Sequence, residues 1–123
     1  EGTVEGKPVI VARNFALKRL DLLHLEMHVA LTFPFLSPLE NGFPTTEESD
    51  ALYEVEDVLL TALGENAVWI ARETGLGKRV VHLHAPDGGS VATILDRFVK
   101  SLEGYAVGVD VKHDPTWEVL DRW

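Results

Sequence analysis

The stretch from residue 22 to residue 33 reads LLHLEMHVALTF, and its apolar and polar side chains alternate. One face of this stretch is apolar and consists of Leu23, Leu25, Met27, Val29, Leu31 and Phe33. The opposite face begins with His24, Glu26 and His28. A period of two over this length predicts a β-strand with one buried face.

Two helices and three more strands are predicted around this strand. Thr45-x-x-Glu48 is typical of a capping box at a helix start, and apolar residues at helical spacing follow it as far as Gly64. Residues 67–74 and 78–85 predict a hairpin that turns at 75–77. An apolar stripe over residues 91–102 predicts the second helix, and alternation over residues 105–112 predicts the last strand.

From residue 22 onward the element order is therefore β-α-β-β-α-β, preceded by an extra strand at residues 7–15. This order predicts an α+β, ferredoxin-like two-layer sandwich, with two helices on one face of an antiparallel sheet. Right-handed crossovers place strand 22–33 in the middle of the sheet, beside strand 78–85. We expect the extra strand to form a hairpin with strand 22–33 or to cover an edge. The length suits a single domain over residues 1–123.

The net charge of −9 comes from one part of the chain. Between Leu20 and Ala71 there are ten acids and no Lys or Arg. Because counterion release needs clustered bases, this composition argues against direct binding of nucleic acid or an anionic membrane. The absence of cysteine excludes disulfides and thiolate chemistry and suits a cytoplasmic location. The longest apolar stretch is too short to span a bilayer.

Residues 42–60 read GFPTTEESDALYEVEDVLL. This stretch resembles the signature of the bacterial family called domain of unknown function 695. The resemblance continues in Arg72, in the turn at 75–79, in the strand RVVHLHA and in the tail at 113–117, and it covers most of the chain from about Asn14. The family is similar in fold to the regulator that inhibits ribonuclease E, a small acidic protein that acts by binding the enzyme. The resemblance thus implies a fold, and it implies no reaction.

Histidines on two predicted strands form the first candidate site. His24 and His28 flank Glu26 on one strand, and His82 and His84 lie on another. Alternate residues of a strand are about 6.8 Å apart on one face, and these two strands are expected to be neighbours. Imidazoles and a carboxylate at this spacing suit Zn²⁺ or another divalent metal. The alternative is a polar sheet face that is solvated or covered in a dimer.

The first helix carries the second candidate site. Glu47, Asp50, Glu54 and Asp57 fall on one solvent face of this helix. They predict a docking surface for a basic partner, or a solvated face that aids solubility. Glu56 falls at the edge of the apolar stripe, where we expect it to be half buried and paired with Arg72, Arg79 or another base.

Two further features remain open. The bases Lys78 and Arg79 follow a glycine-containing turn that leads into a strand, so we interpret them as salt-bridge partners or edge protection rather than as a phosphate loop. Trp69 is either an interface anchor on the open sheet or a side chain buried under the N-terminal hairpin or the C-terminal tail. Together with Trp117, Trp123 and other aromatics it is a candidate for an exposed patch.

No catalytic motif marks the chain, so the sequence favours a non-enzymatic protein-interaction or regulatory module without a cofactor. Its partner is expected to be another protein, docked on the acidic helix, or a second copy that covers the open sheet. The alternative is a divalent-metal-binding protein or metal-dependent hydrolase that uses the strand histidines. A third reading is a small-ligand binder with a pocket between the sheet and the loop at 34–44.

Overall fold

A computed structural model describes residues 2–4, 7–14, 25–64, 67–86, 90–102 and 106–118. Within these residues the chain forms six strands and two helices. Five of the strands and both helices follow the predicted order, and the strand at Gly2–Val4 was not predicted. Their bounds are β1 Gly2–Val4, β2 Lys7–Arg13, β3 Met27–Pro34, α1 Thr46–Leu63, β4 Val68–Gly75, β5 Lys78–Ala85, α2 Ser90–Ser101 and β6 Gly108–His113. Neither helix is long and apolar enough to cross a membrane, and no other helix occurs in the ranges just given.

All strands belong to one antiparallel sheet with the order β1-β2-β4-β5-β3-β6. The predicted central strand β3 lies between β5 and β6, which confirms the ferredoxin-like α+β arrangement. The N-terminal strand β2 pairs with β4, from Val9 opposite Gly75 to Arg13 opposite Ala71. Of the two expected positions for this strand, edge cover is therefore confirmed and a hairpin with residues 22–33 is wrong.

The main core fills the space between the helices and one face of the sheet. From Met27 onward the predicted alternation is observed, because Val29, Leu31 and Phe33 of the predicted apolar face are buried in this core. Leu52, Leu59 and Leu63 of α1 meet them, as do Val91, Leu95 and Phe98 of α2. Both apolar stripes predicted for the helices are thus confirmed. Residues 22–24 and Tyr105, which the sequence also assigns to strands, lie outside the described ranges.

The start of α1 is held by the predicted cap. The Thr45 hydroxyl accepts a hydrogen bond from the Glu48 backbone N–H at 3.1 Å. The Glu48 carboxylate accepts from the backbone N–H of Leu36 at 2.8 Å, so it also ties the helix to the loop after β3. At the other end, the Gly64 N–H bonds to the Leu60 carbonyl, as expected for a glycine stop.

A smaller core lies on the sheet face that the helices leave open. It consists of Leu25, Ile70, Ala71 and Trp117, with Val68 packed against it. Ile70 and Ala71 share this core although they are neighbours in sequence, because the β4–β5 register shifts between Trp69 and Ala71. The short segment after β6 therefore covers part of the open face.

Candidate functional site

The four acids predicted to share a face of α1 are all exposed. We call Glu47, Asp50, Glu54 and Asp57 the acidic face. Among the described residues none of the four has a hydrogen-bond or ion-pair partner through its side chain. Two exposed apolar side chains of the same helix accompany them, Tyr53 at 44 % and Val58 at 61 % exposure. The face is therefore an unneutralised negative surface that also offers apolar contact area.

Glu56 has a different role from its acidic neighbours. It is only 3 % exposed, which is more buried than the sequence suggested. Its carboxylate accepts from Arg72 Nε at 2.9 Å and Arg72 Nη2 at 2.6 Å, and from the Trp69 indole N–H at 2.9 Å. The predicted pairing with Arg72 is confirmed. The contact joins α1 to β4, so Glu56 serves the fold.

Trp69 lies on the helix side of the sheet. Its ring packs against the main core, and the Arg72 guanidinium lies 5.3 Å from the ring centroid. It is partly buried beneath α1 rather than under either terminal segment. Binding of a partner by Trp69 stays a prediction. Trp117 is fully buried, so it does not contribute to an exposed patch. Trp123 lies outside the described residues.

Arg79 is buried on the floor of a cleft at the start of α1. Its side chain is 2 % exposed, so the interpretation of this residue as edge protection is wrong. The guanidinium donates to the hydroxyls of Thr74 at 3.2 Å and Ser49 at 3.1 Å, and to the Ser49 carbonyl at 3.5 Å. Burial lowers the pKa of Arg79, and Arg72 adds to this effect, whereas Tyr53 and Glu56 oppose it. Within the described chain, no carboxylate lies within ion-pair distance of Arg79.

The cleft above Arg79 has a volume of about 290 Å³ and opens between the sheet, α1 and the loop before α1. Ile10, Phe43 and Pro44 form an apolar wall, and Asp50 lies on the helix side. The loop is fixed to the β4–β5 turn, because Gly77 N–H donates to the Gly42 carbonyl at 2.8 Å. A side chain at position 42 would press on the Leu76 backbone, and φ is +89° there, so glycine is needed.

Three of the predicted histidines meet on the open face of the sheet. We call His28, His82 and His84 the histidine cluster. The His28 and His82 rings stack with centroids 5.1 Å apart, and His28 Nε2 lies 2.9 Å from His82 Nδ1. His82 Nε2 in turn lies 3.0 Å from the Glu73 carboxylate. His82 therefore links His28 to Glu73 in a chain of side-chain hydrogen bonds.

His84 is fully buried and held from both ring nitrogens. Nδ1 lies 2.6 Å from the Leu25 carbonyl, and Nε2 lies 3.0 Å from an Asp114 oxygen. Since a carbonyl only accepts, Nδ1 donates to the Leu25 carbonyl, and Nε2 is paired with the Asp114 carboxyl group. The Trp117 ring stacks on His84 at 4.1 Å, and its N–H donates to the same Leu25 carbonyl. This arrangement fixes the C-terminal segment onto the sheet.

The structure therefore confirms that the strand histidines are neighbours, while metal binding by them stays a prediction. Glu26 lies near His113 at 3.5 Å, and His24 is outside the described residues. In the ranges that the structure describes, no three His, Asp or Glu side chains are arranged to hold a metal ion. A metal would have to displace the hydrogen bonds that now occupy the His82 and His84 nitrogens.

Sequence reasoning missed the two residues that organise these sites, although each left a signal. Alternation in β5 puts Arg79 on the same face as Val81, Leu83 and Ala85, which predicts its burial. Asp114, before a proline and three residues ahead of Trp117, has the pattern of a turn-forming side chain. It does form one, because its second oxygen accepts from the Glu118 N–H at 2.8 Å.

Among the comparisons with known proteins, the comparison with family models found a match. The model of a family of unknown function, DUF695, matches residues 1–121. No curated protein and no solved structure matched the chain. The match covers nearly all of the sequence and includes every element described above. The chain belongs to the DUF695 family.

Proposed function

We propose that this protein is a non-catalytic interaction module that docks a basic segment of a protein partner on the acidic face of α1. One observation carries the proposal: four exposed carboxylates lie along one helix face, and among the described residues none is neutralised by a base. Their spacing spans about 15 Å of helix, enough for a complementary row of Lys and Arg. The fold similarity that we expect between this family and the regulator that inhibits ribonuclease E agrees with the proposal, because that protein acts by binding its enzyme.

Exposed apolar groups beside the charges favour docking over simple solvation. Interfaces combine a desolvated aromatic or aliphatic centre with a charged rim. Tyr53 and Val58 supply such a centre next to Glu54 and Asp57.

The test compares two double variants with the same change in net charge. Glu54→Lys/Asp57→Lys reverses the acidic face, whereas Glu40→Lys/Asp110→Lys reverses two exposed acids elsewhere. Partners captured by the wild-type protein are identified, purified and titrated against all three proteins. We expect the first variant to lose at least tenfold in affinity at low salt and the second to bind nearly as the wild type does. An equal loss in both variants would reduce the effect to net charge and refute the proposal.

A second copy on the open sheet face stays a separate prediction. Trp117 and its segment already cover the region around His84 and Ile70. Only the rest of the open face would be left for a partner copy, so the acidic face is the better supported surface.

A further inference from the structure

The buried charges around Tyr53 do not balance. Two guanidinium groups lie against its ring, Arg72 at 4.9 Å and Arg79 at 4.6 Å from the centroid. The one buried carboxylate beside them, Glu56, is hydrogen-bonded to Arg72. Arg79 is therefore a buried cation that is held by hydroxyls and a carbonyl, with no anion bonded to it in the described chain.

A buried charge without a counter-ion costs free energy, and a bound anion would recover much of that cost. Arg79 lies at the floor of an open cleft, so an anion reaches it from solvent. The hydrogen bonds to Thr74 and Ser49 use three of its five N–H donors, and Tyr53 is a further hydrogen-bond partner, so at most two donors are left for a ligand. Hydroxyls of Thr46, Ser49 and Thr74 also line this space.

The surroundings select the kind of anion. Asp50 lines the same cleft, and the other members of the acidic face lie on the same helix, so a dianion such as phosphate would be repelled. A single carboxylate matches the single guanidinium. Asp50 has no partner among the described residues, so it is available to an ammonium group of the same ligand. Ile10, Phe43 and Pro44 supply an apolar wall.

We infer that the cleft binds a small zwitterion, an α-amino acid with an apolar side chain. Arg79 takes its carboxylate, Asp50 its ammonium, and the wall of Ile10, Phe43 and Pro44 its side chain. The cleft volume of about 290 Å³ lies at the small end of the range for ligand sites, as this size of ligand requires.

Three matched probes test this assignment by NMR titration of the isotope-labelled protein. L-leucine has both charges, 4-methylpentanoate lacks the ammonium, and L-leucinamide lacks the carboxylate. We expect L-leucine to shift the Arg79 Nε–H signal and the amides of Ser49 and Thr74. 4-Methylpentanoate should bind several-fold more weakly, and L-leucinamide should leave those signals in place. The inference is overturned if L-leucine causes no shift there at millimolar concentration, if L-leucinamide binds as well as L-leucine, or if inorganic phosphate binds in its place.

Substitutions on the exposed helix separate the site from general electrostatics, and they avoid disturbing the buried Arg79. Asp50→Asn should lower the affinity for L-leucine by about threefold, to the affinity of the wild-type protein for 4-methylpentanoate. The expected change is this small because an exposed ion pair contributes up to about 1 kcal/mol. Glu54→Gln removes a charge from the same helix outside the cleft and should change nothing. Equal effects of the two substitutions would overturn the role of Asp50. Glu54→Lys/Asp57→Lys should keep L-leucine binding, so this site stands or falls independently of partner docking.

Discussion

Glu56 is the residue through which α1 is fixed to β4. Its carboxylate is almost fully buried and accepts from Arg72 and Trp69. Glu56→Gln removes the charge and leaves the Arg72 guanidinium, which is 20 % exposed, without its anion. Because a broken buried pair costs several kcal/mol and Arg72 retains some contact with water, we expect a loss of about 2–3 kcal/mol in the free energy of unfolding. Urea unfolding followed by circular dichroism measures it.

The control for this prediction is a substitution at Glu54, two residues before Glu56. Glu54→Gln also removes a carboxylate from α1, but from its exposed face, and should change the free energy of unfolding by no more than about 0.5 kcal/mol. Adding Arg72→Met to Glu56→Gln should restore part of the loss, because the unpaired cation is removed. If Glu56→Gln and Glu54→Gln were equally mild, the pair with Arg72 would not exist in solution.

Single residues also show where sequence reasoning succeeds and where it stops. The position of Glu56 on the helical wheel was enough to predict partial burial and pairing with a base, but not its nearly complete burial or which base it pairs with. The face of the sheet on which Trp69 lies was not predictable, because alternation shows only that Trp69 and Val68 lie on opposite faces. The register shift beside it, which no residue in β4 announces, decides that Ile70 joins Ala71 on the open face. Leu76 and Trp117 have φ values of +55° and +59°, so packing and turn geometry override local preference there.

At the scale of elements, the segment at 114–118 packs on the open face of the sheet, and we call this segment the clasp. Asp114 N–H bonds to the Glu26 carbonyl at 2.7 Å, and Trp117 fills the space over His84. Trp117→Ala leaves a void and removes one of the two donors to the Leu25 carbonyl, so we expect a loss of about 3–5 kcal/mol in the free energy of unfolding. Trp117→Phe keeps an aromatic ring over His84 and loses the indole N–H, for a smaller loss of about 1–2 kcal/mol.

The same variants have a local readout. A ring stacked on His84 shifts its proton signals, so NMR should find this shift in the wild type, weakened in Trp117→Phe and absent in Trp117→Ala. Val109→Ala, on the exposed edge strand β6, serves as the control and should leave both the stability and the His84 signals nearly unchanged. A Trp117→Ala protein as stable as Trp117→Phe would show that the clasp is not packed in solution.

Helices and strands could be predicted where the spacing of apolar residues and the capping residues define them. Both helices, the hairpin and the order of four strands followed from spacing alone, because each element buries one apolar face. The position of β2 did not follow, since its side chains are compatible with either edge. In the observed pairing with β4, the two strands approach closely at Gly75, where a Cβ would lie 2.7 Å from the Pro8 carbonyl oxygen, so a glycine is needed there.

At the scale of the whole molecule, the negative charge concentrated on α1 lowers the stability of the folded state. Like charges three and four residues apart on a helix repel, and here the described residues do not neutralise them. Glu54→Lys/Asp57→Lys should therefore raise the free energy of unfolding, by about 0.5–1 kcal/mol at low salt, and added salt should shrink the gain by screening. Glu40→Lys/Asp110→Lys, outside the helix, should change stability less. Urea unfolding at two salt concentrations measures both. A protein that becomes more stable while its partner affinity falls would show that the acids are kept for binding, whereas a loss of stability would show that they serve the fold.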